Sequence, residues 1–149
     1  LTRMLDIIGQ NPLFTSAIRL IMAQRLVRRL DDTSKIAYQP DEATKKRLQA
    51  IIDTFPPQLP KPDLSSVTLY KAGTSSDNPF GFKGQLALRE QMVMSDPLRE
   101  MLTRPVSEIT TQKLEAAAVQ GGMLTMLHSA VLHLLKGETT LEEVFRVLG

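Results

Sequence analysis

Four prolines fall between Pro56 and Ser66, at Pro56, Pro57, Pro60 and Pro62. No helix or central strand can run through such a stretch, because each proline lacks an N–H donor and fixes its own φ. The segment reads as an extended linker on the surface. At 149 residues one domain is expected, with at most an appendage. Hydrophobic residues make up 42% and charged residues 23%, a balance that excludes disorder and collagen-like repeats. Aromatic residues are only 5% and Trp is absent, so the core must come from Leu, Ile, Val, Ala and the seven Met. Cysteine is also absent, which excludes disulfides, thiolate zinc sites, iron–sulfur clusters and a Cys nucleophile, and leaves the redox compartment undecided.

Asn11-Pro12 is a helix start, since proline's missing N–H is harmless in a first turn. Leu13, Phe14, Ala17, Ile18 and Ile21 follow at helical spacing. From Ile21 to Leu30 the pattern fits either continued helix or a buried strand with an Arg-rich end, and periodicity does not choose between them. Pro40-Asp41 opens an amphipathic helix carrying Leu48, Ile51, Ile52 and Phe55 as one stripe, ended by Pro56-Pro57. After the linker, Val67–Lys71 and Leu86–Met94 have strand composition on either side of a polar Gly-rich turn. Everything beyond Ser95 reads as helix. Ser95 caps a short helix, a second runs from about Ser107 to Gln120, and a third carries Met123, Leu127, Ala130, Val131, Leu134 and Leu135 up to a Gly137 C-cap. Thr140-Leu141-Glu142-Glu143 is the pattern of a capping box and starts a last helix with Leu141, Val144, Phe145 and Leu148 inward.

Charge is unevenly placed. Nine Lys/Arg stand against five acids up to Arg47, and nine against eleven after it, so any anion-binding role belongs at the front. Arg25, Arg28 and Arg29 suit phosphate or carboxylate recognition in either local conformation: a helix groups them, whereas a strand puts Arg25 and Arg28 on opposite faces. The basic residues have no interleaved aromatics, so nucleic acid is not expected as a partner. His128 and His133, the two histidines, lie about 140° apart on a helix and cannot share a metal by themselves. Asp31, Asp32 and Asp77 could meet a cation only if two loops converged. There is no GxxxxGK[ST] loop, GxSxG elbow, HExxH or EF-hand run. No stretch approaches about 18 apolar residues, the length a membrane span needs, and nothing near the start has a signal peptide's layout. Leu1-Thr2-Arg3-Met4-Leu5 reads as the middle of an uncapped amphipathic helix, which predicts a piece of a longer protein.

Four segments together resemble the C-terminal part of the bacterial type II secretion and type IV pilus assembly (extension) ATPases. They are Ala23–Leu30 (AQRLVRRL), Gly81–Glu90 (GFKGQLALRE), Gly122–Met126 (GMLTM) and the closing KGETTLEEVFRVLG, and their order and spacing match. Thr2–Asp6 is similar to the segment that follows the family's histidine box. The resemblance implies an α/β fold: the helix-rich C-terminal portion of a RecA-like P-loop ATPase domain, with a few strands, a small zinc-free insert and a C-terminal helical layer. Residues 1–30 would end the RecA-like core, 31–84 would form the inserted subdomain and Pro-rich linker, and 85–149 the returning strand and helical bundle. Many relatives hold zinc with two CxxC pairs whose positions here are Asp31, Ser34, Thr74 and Asp77, so no zinc is expected.

The resemblance further implies a hexameric ring motor that uses ATP and Mg²⁺ to assemble a pilus or pseudopilus. The motor would be cytoplasmic, at the inner membrane through partner proteins, and would contact neighbouring subunits and an inner-membrane platform protein. Arg3, Gln24, Arg25 and Arg28 would complete the nucleotide surroundings or the subunit interface. Without a phosphate loop the chain alone is expected to be inactive. The competing reading is a non-enzymatic helical module that packs on subunits or on the platform protein.

Overall fold

The computed structural model describes residues 12–105 and 108–149. In chain order the elements are α1 (Pro12–Ala17), β1 (Leu20–Leu30), β2 (Ile36–Tyr38), α2 (Glu42–Asp53), β3 (Leu69–Lys71), β4 (Phe82–Val93), α3 (Asp96–Leu102), α4 (Thr111–Gln120), α5 (Met126–Leu135) and α6 (Leu141–Leu148). The fold is mixed α/β, with two separate antiparallel ribbons, β1–β4 and β2–β3, among the described residues.

The ambiguous stretch before Leu30 is a strand. It pairs with β4 from Leu20↔Val93 to Leu30↔Phe82, and tertiary pairing decides what local propensity leaves open. The helical reading of Leu13–Ile21 ends early, at Ala17, and Leu13 is 79% exposed. Between Arg28 and Leu30 the register shifts, because β1 advances from Arg28 to Leu30 while β4 advances from Gln85 to Phe82. The extra residue falls beside Gly84 at φ +79°, a left-handed conformation that glycine reaches without strain. Val27 and Leu88 point to one face of this ribbon and pack on Ala130 of α5 and Val144 of α6.

Helix α5 is shared between cores. Ala130 faces the long ribbon, while Val131 and Leu134 pack on Leu48, Ile52 and Phe55 of α2 and on Leu64, Val67 and Leu69. The stretch 31–84 therefore builds its core jointly with α5. A third cluster joins Met94, Leu98, Leu102, Ile109, Leu114, Ala118 and Met123 beneath Ile21 and Met92. The proline segment is irregular as expected, but it does not lie wholly on the surface: Pro56 and Leu64 are buried, and Leu64 closes the α2 core.

The helix ends explain most of the local structure. Asp41 caps α2 by accepting the Thr44 N–H, and Thr110 caps α4 by accepting the Lys113 N–H; Ser107, near which the sequence predicts the start of this helix, lies outside the described residues. Ser95 precedes α3 without a side-chain capping bond. The capping box falls at α5, where the Thr125 side chain accepts the His128 N–H and the His128 side chain accepts the Thr125 N–H. At α6 only half of the expected box forms: Thr140 Oγ1 accepts the Glu143 N–H, but the Glu143 carboxylate is engaged elsewhere. Phe145 is 46% exposed and Leu127 38%, so both leave the inward stripes assigned to them; Val144 holds the α6 side of the core.

Gly137 ends α5 at φ +68°, and a Cβ there would stand 2.6 Å from the Tyr70 ring. Gly84 has a similar φ but open space around it. Gly137→Ala should cost about 1–3 kcal/mol, from backbone strain plus displacement of Tyr70, and Gly84→Ala should cost less; urea unfolding midpoints of the two variants check the order.

Candidate functional site

The charged site of this chain is built along the outer edge of β1. Residues 138–143 lie against its C-terminal end: Leu30 N–H donates to Glu138 O at 2.9 Å, and Thr139 Oγ1–H donates to Arg28 O at 3.0 Å. Glu143, in the first turn of α6, is 2% exposed. Its carboxylate accepts the Arg28 backbone N–H at 3.0 Å, Arg28 Nη2–H, and Arg146 Nε–H and Nη2–H at 2.8 and 2.7 Å. The Arg28 guanidinium also lies over the Phe82 ring, 4.1 Å from its centroid, a cation–π contact. The Arg146 and Arg28 bonds lower the Glu143 pKa to about 2 against the opposing effect of burial. Arg146 is raised in turn.

These bonds place the predicted site residues. Arg28 is committed to Glu143 and Phe82. Gln24 shares the exposed ribbon face with Leu20, Met22 and Leu26, opposite Arg89. Arg25 lies on the other face, opposite Leu88, yet is exposed and makes no ion pair among the described residues. The strand thus separates Arg25 from Gln24 and Arg28 instead of grouping them. Arg3 lies outside the described residues.

Residue alternation fixes the rest of the edge. Because Arg28 N–H points away from β4, the N–H groups of Met22, Gln24 and Leu26 do so too. No backbone partner meets them among the described residues. Leu20, Met22, Leu26 and Val93 are 47–68% exposed. Among the described residues, half of the β1 edge is covered and half is open.

The histidines serve structure. His128 is 3% exposed; its Nδ1 accepts the Thr125 N–H, so the ring proton sits on Nε2 and donates to Thr54 Oγ1 at 2.9 Å. The Thr54 hydroxyl donates to Ile51 O, and burial holds the imidazole pKa below its ordinary value. His133 pairs with Glu138 at 2.6 Å. Asp31 and Asp77 lie on two loops that do converge, but among the described residues no three His, Asp or Glu side chains could hold a metal ion. An open groove of about 980 Å³ is lined by Asp53, Lys61, Glu90, Glu115 and His128, and there Glu90 accepts the Met126 N–H.

Glu143 is not legible as the hub in the sequence, because a Glu three residues after a Thr reads as a capping partner. The sequence signal was a Glu on the Val144 side of a strongly amphipathic helix. Asn78 was also missed, and its only signal was an Asn-Pro step inside a Gly-rich turn.

A ribbon is tied to a helical layer through one buried carboxylate, and together they define a mixed α/β fold. The chain belongs to the family described as Type II/IV secretion system protein, which matches residues 1–146. It is 35% identical over 149 residues to a type II secretion system protein E of Xanthomonas campestris, covering 99% of this chain and 24% of that protein. It is 32% identical to a type IV pilus assembly ATPase of Myxococcus xanthus (96% and 24%) and 31% identical to one of Thermus thermophilus (94% and 15%). The chain spans about a quarter or less of the length of these relatives.

Because the folded Glu143 pKa of about 2 lies below its ordinary 4.5, its contribution is complete above pH ~4.5 and is lost as pH falls toward 2. Both arginines are half-exposed, so solvent screening discounts the effect. Glu143→Ala should cost about 1–3 kcal/mol at pH 7 and flatten the acid limb of stability against pH, as read by urea unfolding between pH 2 and 7.

Proposed function

We propose that this chain is the C-terminal portion of a hexameric motor ATPase that couples ATP hydrolysis to pilus or pseudopilus assembly. Family membership and the relatives' names as secretion and pilus assembly proteins support this reading. The structural observation that carries it is the open half of the β1 edge with its apolar face, Leu20, Met22 and Leu26. An unpaired strand edge of this kind is a template for another strand. On this reading β1 and β4 finish a RecA-like sheet whose other strands the rest of the parent supplies.

ATP and Mg²⁺ are held mainly elsewhere in the parent. The described residues lack a carboxylate cluster for a cation, and the sequence lacks a phosphate loop. What this chain offers is Arg25, an exposed cation free of ion pairs among the described residues, and Gln24 on the opposite face of the same strand. A guanidinium with no partner of its own can pair with phosphate charge or a neighbouring subunit's carboxylate. Within this chain Arg28 fastens α6 to β1.

Neighbouring subunits of the ring and an inner-membrane platform protein are the proposed partners, with a cytoplasmic location peripheral to that membrane. Among the described residues no helix is long and apolar enough to cross a membrane. Taken by itself the chain acts as an interaction module, a reading favoured by the exposed Leu20, Met22, Leu26 and Val93.

The isolated chain should not hydrolyse ATP, and a protein extended upstream through the phosphate loop should. In the extended protein Arg25→Ala should lower turnover by about tenfold or more, whereas Lys46→Ala, on the exposed face of α2, should leave it unchanged. Phosphate release assays check both. Turnover by the isolated chain, or none by the extended protein, overturns the reading.

A further inference from the structure

Two loops meet beyond the C-terminal end of β1: residues 31–35, which lead into β2, and residues 73–81, which lead from β3 into β4. They contain the four positions where the resemblance puts zinc-binding cysteines. Their donors do not fit zinc. Ser34 and Thr74 offer hydroxyls that keep their protons, whereas structural zinc takes thiolate and imidazole. Ser34 Oγ is buried without a partner. Thr74 and Asp77 are exposed, and Asp77 Oδ1 accepts the Ser76 hydroxyl. Both Asp31 oxygens are engaged: Oδ1 accepts Thr33 N–H at 3.1 Å and Thr33 Oγ1–H at 2.8 Å, and Oδ2 accepts Asn78 Nδ2–H at 2.8 Å.

We infer that a carboxylate–amide clasp between Asp31 and Asn78 closes these loops in this chain, at the positions where many members of the resembled family hold zinc. Asn78 lies outside the four positions, and its amide is used on both sides: Nδ2–H also donates to Phe82 O at 3.1 Å, and Oδ1 accepts the Gly81 N–H at 3.1 Å. Asp31 N–H donates to Gly81 O at 3.0 Å, so the clasp joins backbone to backbone as well as side chain to side chain. The Asp31 carbonyl accepts the Ser34 and Lys35 N–H groups and turns the chain into β2.

The loops also approach too closely to leave room for side chains. A Cβ on Gly73 would lie 1.8 Å from Ser34 O, and one on Gly81, at φ +66°, would lie 2.1 Å from Gly73 O. Asp31 is 7% exposed, and a buried carboxylate needs such partners. The Asn78 amide, then the Thr33 donors, hold its carboxyl below the ordinary value, so the acceptor is ionised at neutral pH. Since β2 and β3 contribute only three residues each, the clasp sets the register of a ribbon too short to set its own. This inference stands whether or not the parent is a motor.

The test is amide exchange on the chain with and without a zinc chelator, with elemental analysis of bound zinc, and on Asn78→Ala and Asn78→Asp. The expected result is substoichiometric zinc and no effect of chelator. The variants should exchange about tenfold or more faster at Ile36–Tyr38 and Leu69–Lys71, with protection at Val27 and Leu88 retained. Stoichiometric zinc whose removal speeds exchange overturns the clasp. So does unchanged exchange in both variants, or exchange that rises equally in β1 and β4.

Discussion

The carboxylate of Glu143 is the contact on which the seating of the last helix against the long ribbon depends. It sits buried in the first turn of an eight-residue helix, and α6 by itself is too short to be stable in water. One ionised group accepts a strand N–H, the guanidinium of Arg28 and the guanidinium of Arg146. Charge-assisted bonds of this kind are about twice as strong as neutral ones. Because the strand N–H belongs to the outer edge of β1, the same group also ends that edge. Thr139 on Arg28 O and Glu138 O on Leu30 N–H continue the seam toward the C-terminal end of β1, so the turn after Gly137 is pressed onto the strand and α5 is held over the ribbon.

This arrangement explains why a short chain with few aromatics and no cysteine holds its elements together. Helix α5 carries apolar side chains on two faces, Ala130 toward the ribbon and Val131 and Leu134 toward α2. His128 links the same helix to the end of α2 through Thr54. The buried polar groups at these joints are paired, and pairing is what makes their burial tolerable.

Much of this was legible in the sequence where local chemistry decides the outcome. The Asp41 cap, the apolar stripe of α2, the stop at Pro56 and the glycine after α5 are all read from residues within a turn of one another. The long strands were half legible: Ile21–Leu30 fits two periods, and only pairing with β4 selects one. Ile36–Tyr38 was missed because three residues carry no period, and its partner is more than thirty residues away. At the charged site Arg25 and Arg28 were found from composition, but the separation of their faces came from the strand. Glu143 and Asn78 were missed as organising residues because their partners are distant in sequence: Arg28 lies 115 residues from Glu143 and Asp31 lies 47 from Asn78. The four-segment resemblance reached the family directly, and the family match bears it out.

The proposed motor function rests on the division of one strand edge, sealed at Arg28 and Leu30 and open at Met22, Gln24 and Leu26. Residue-resolved amide exchange on β1 tests it, measured in this chain and in the longer parent protein. Arg28 and Leu30 should exchange slowly in both. Met22, Gln24 and Leu26 should exchange rapidly in the isolated chain and be protected by about a hundredfold or more in the parent, where a neighbouring strand accepts their N–H groups. Equally rapid exchange of these three amides in the parent would contradict it.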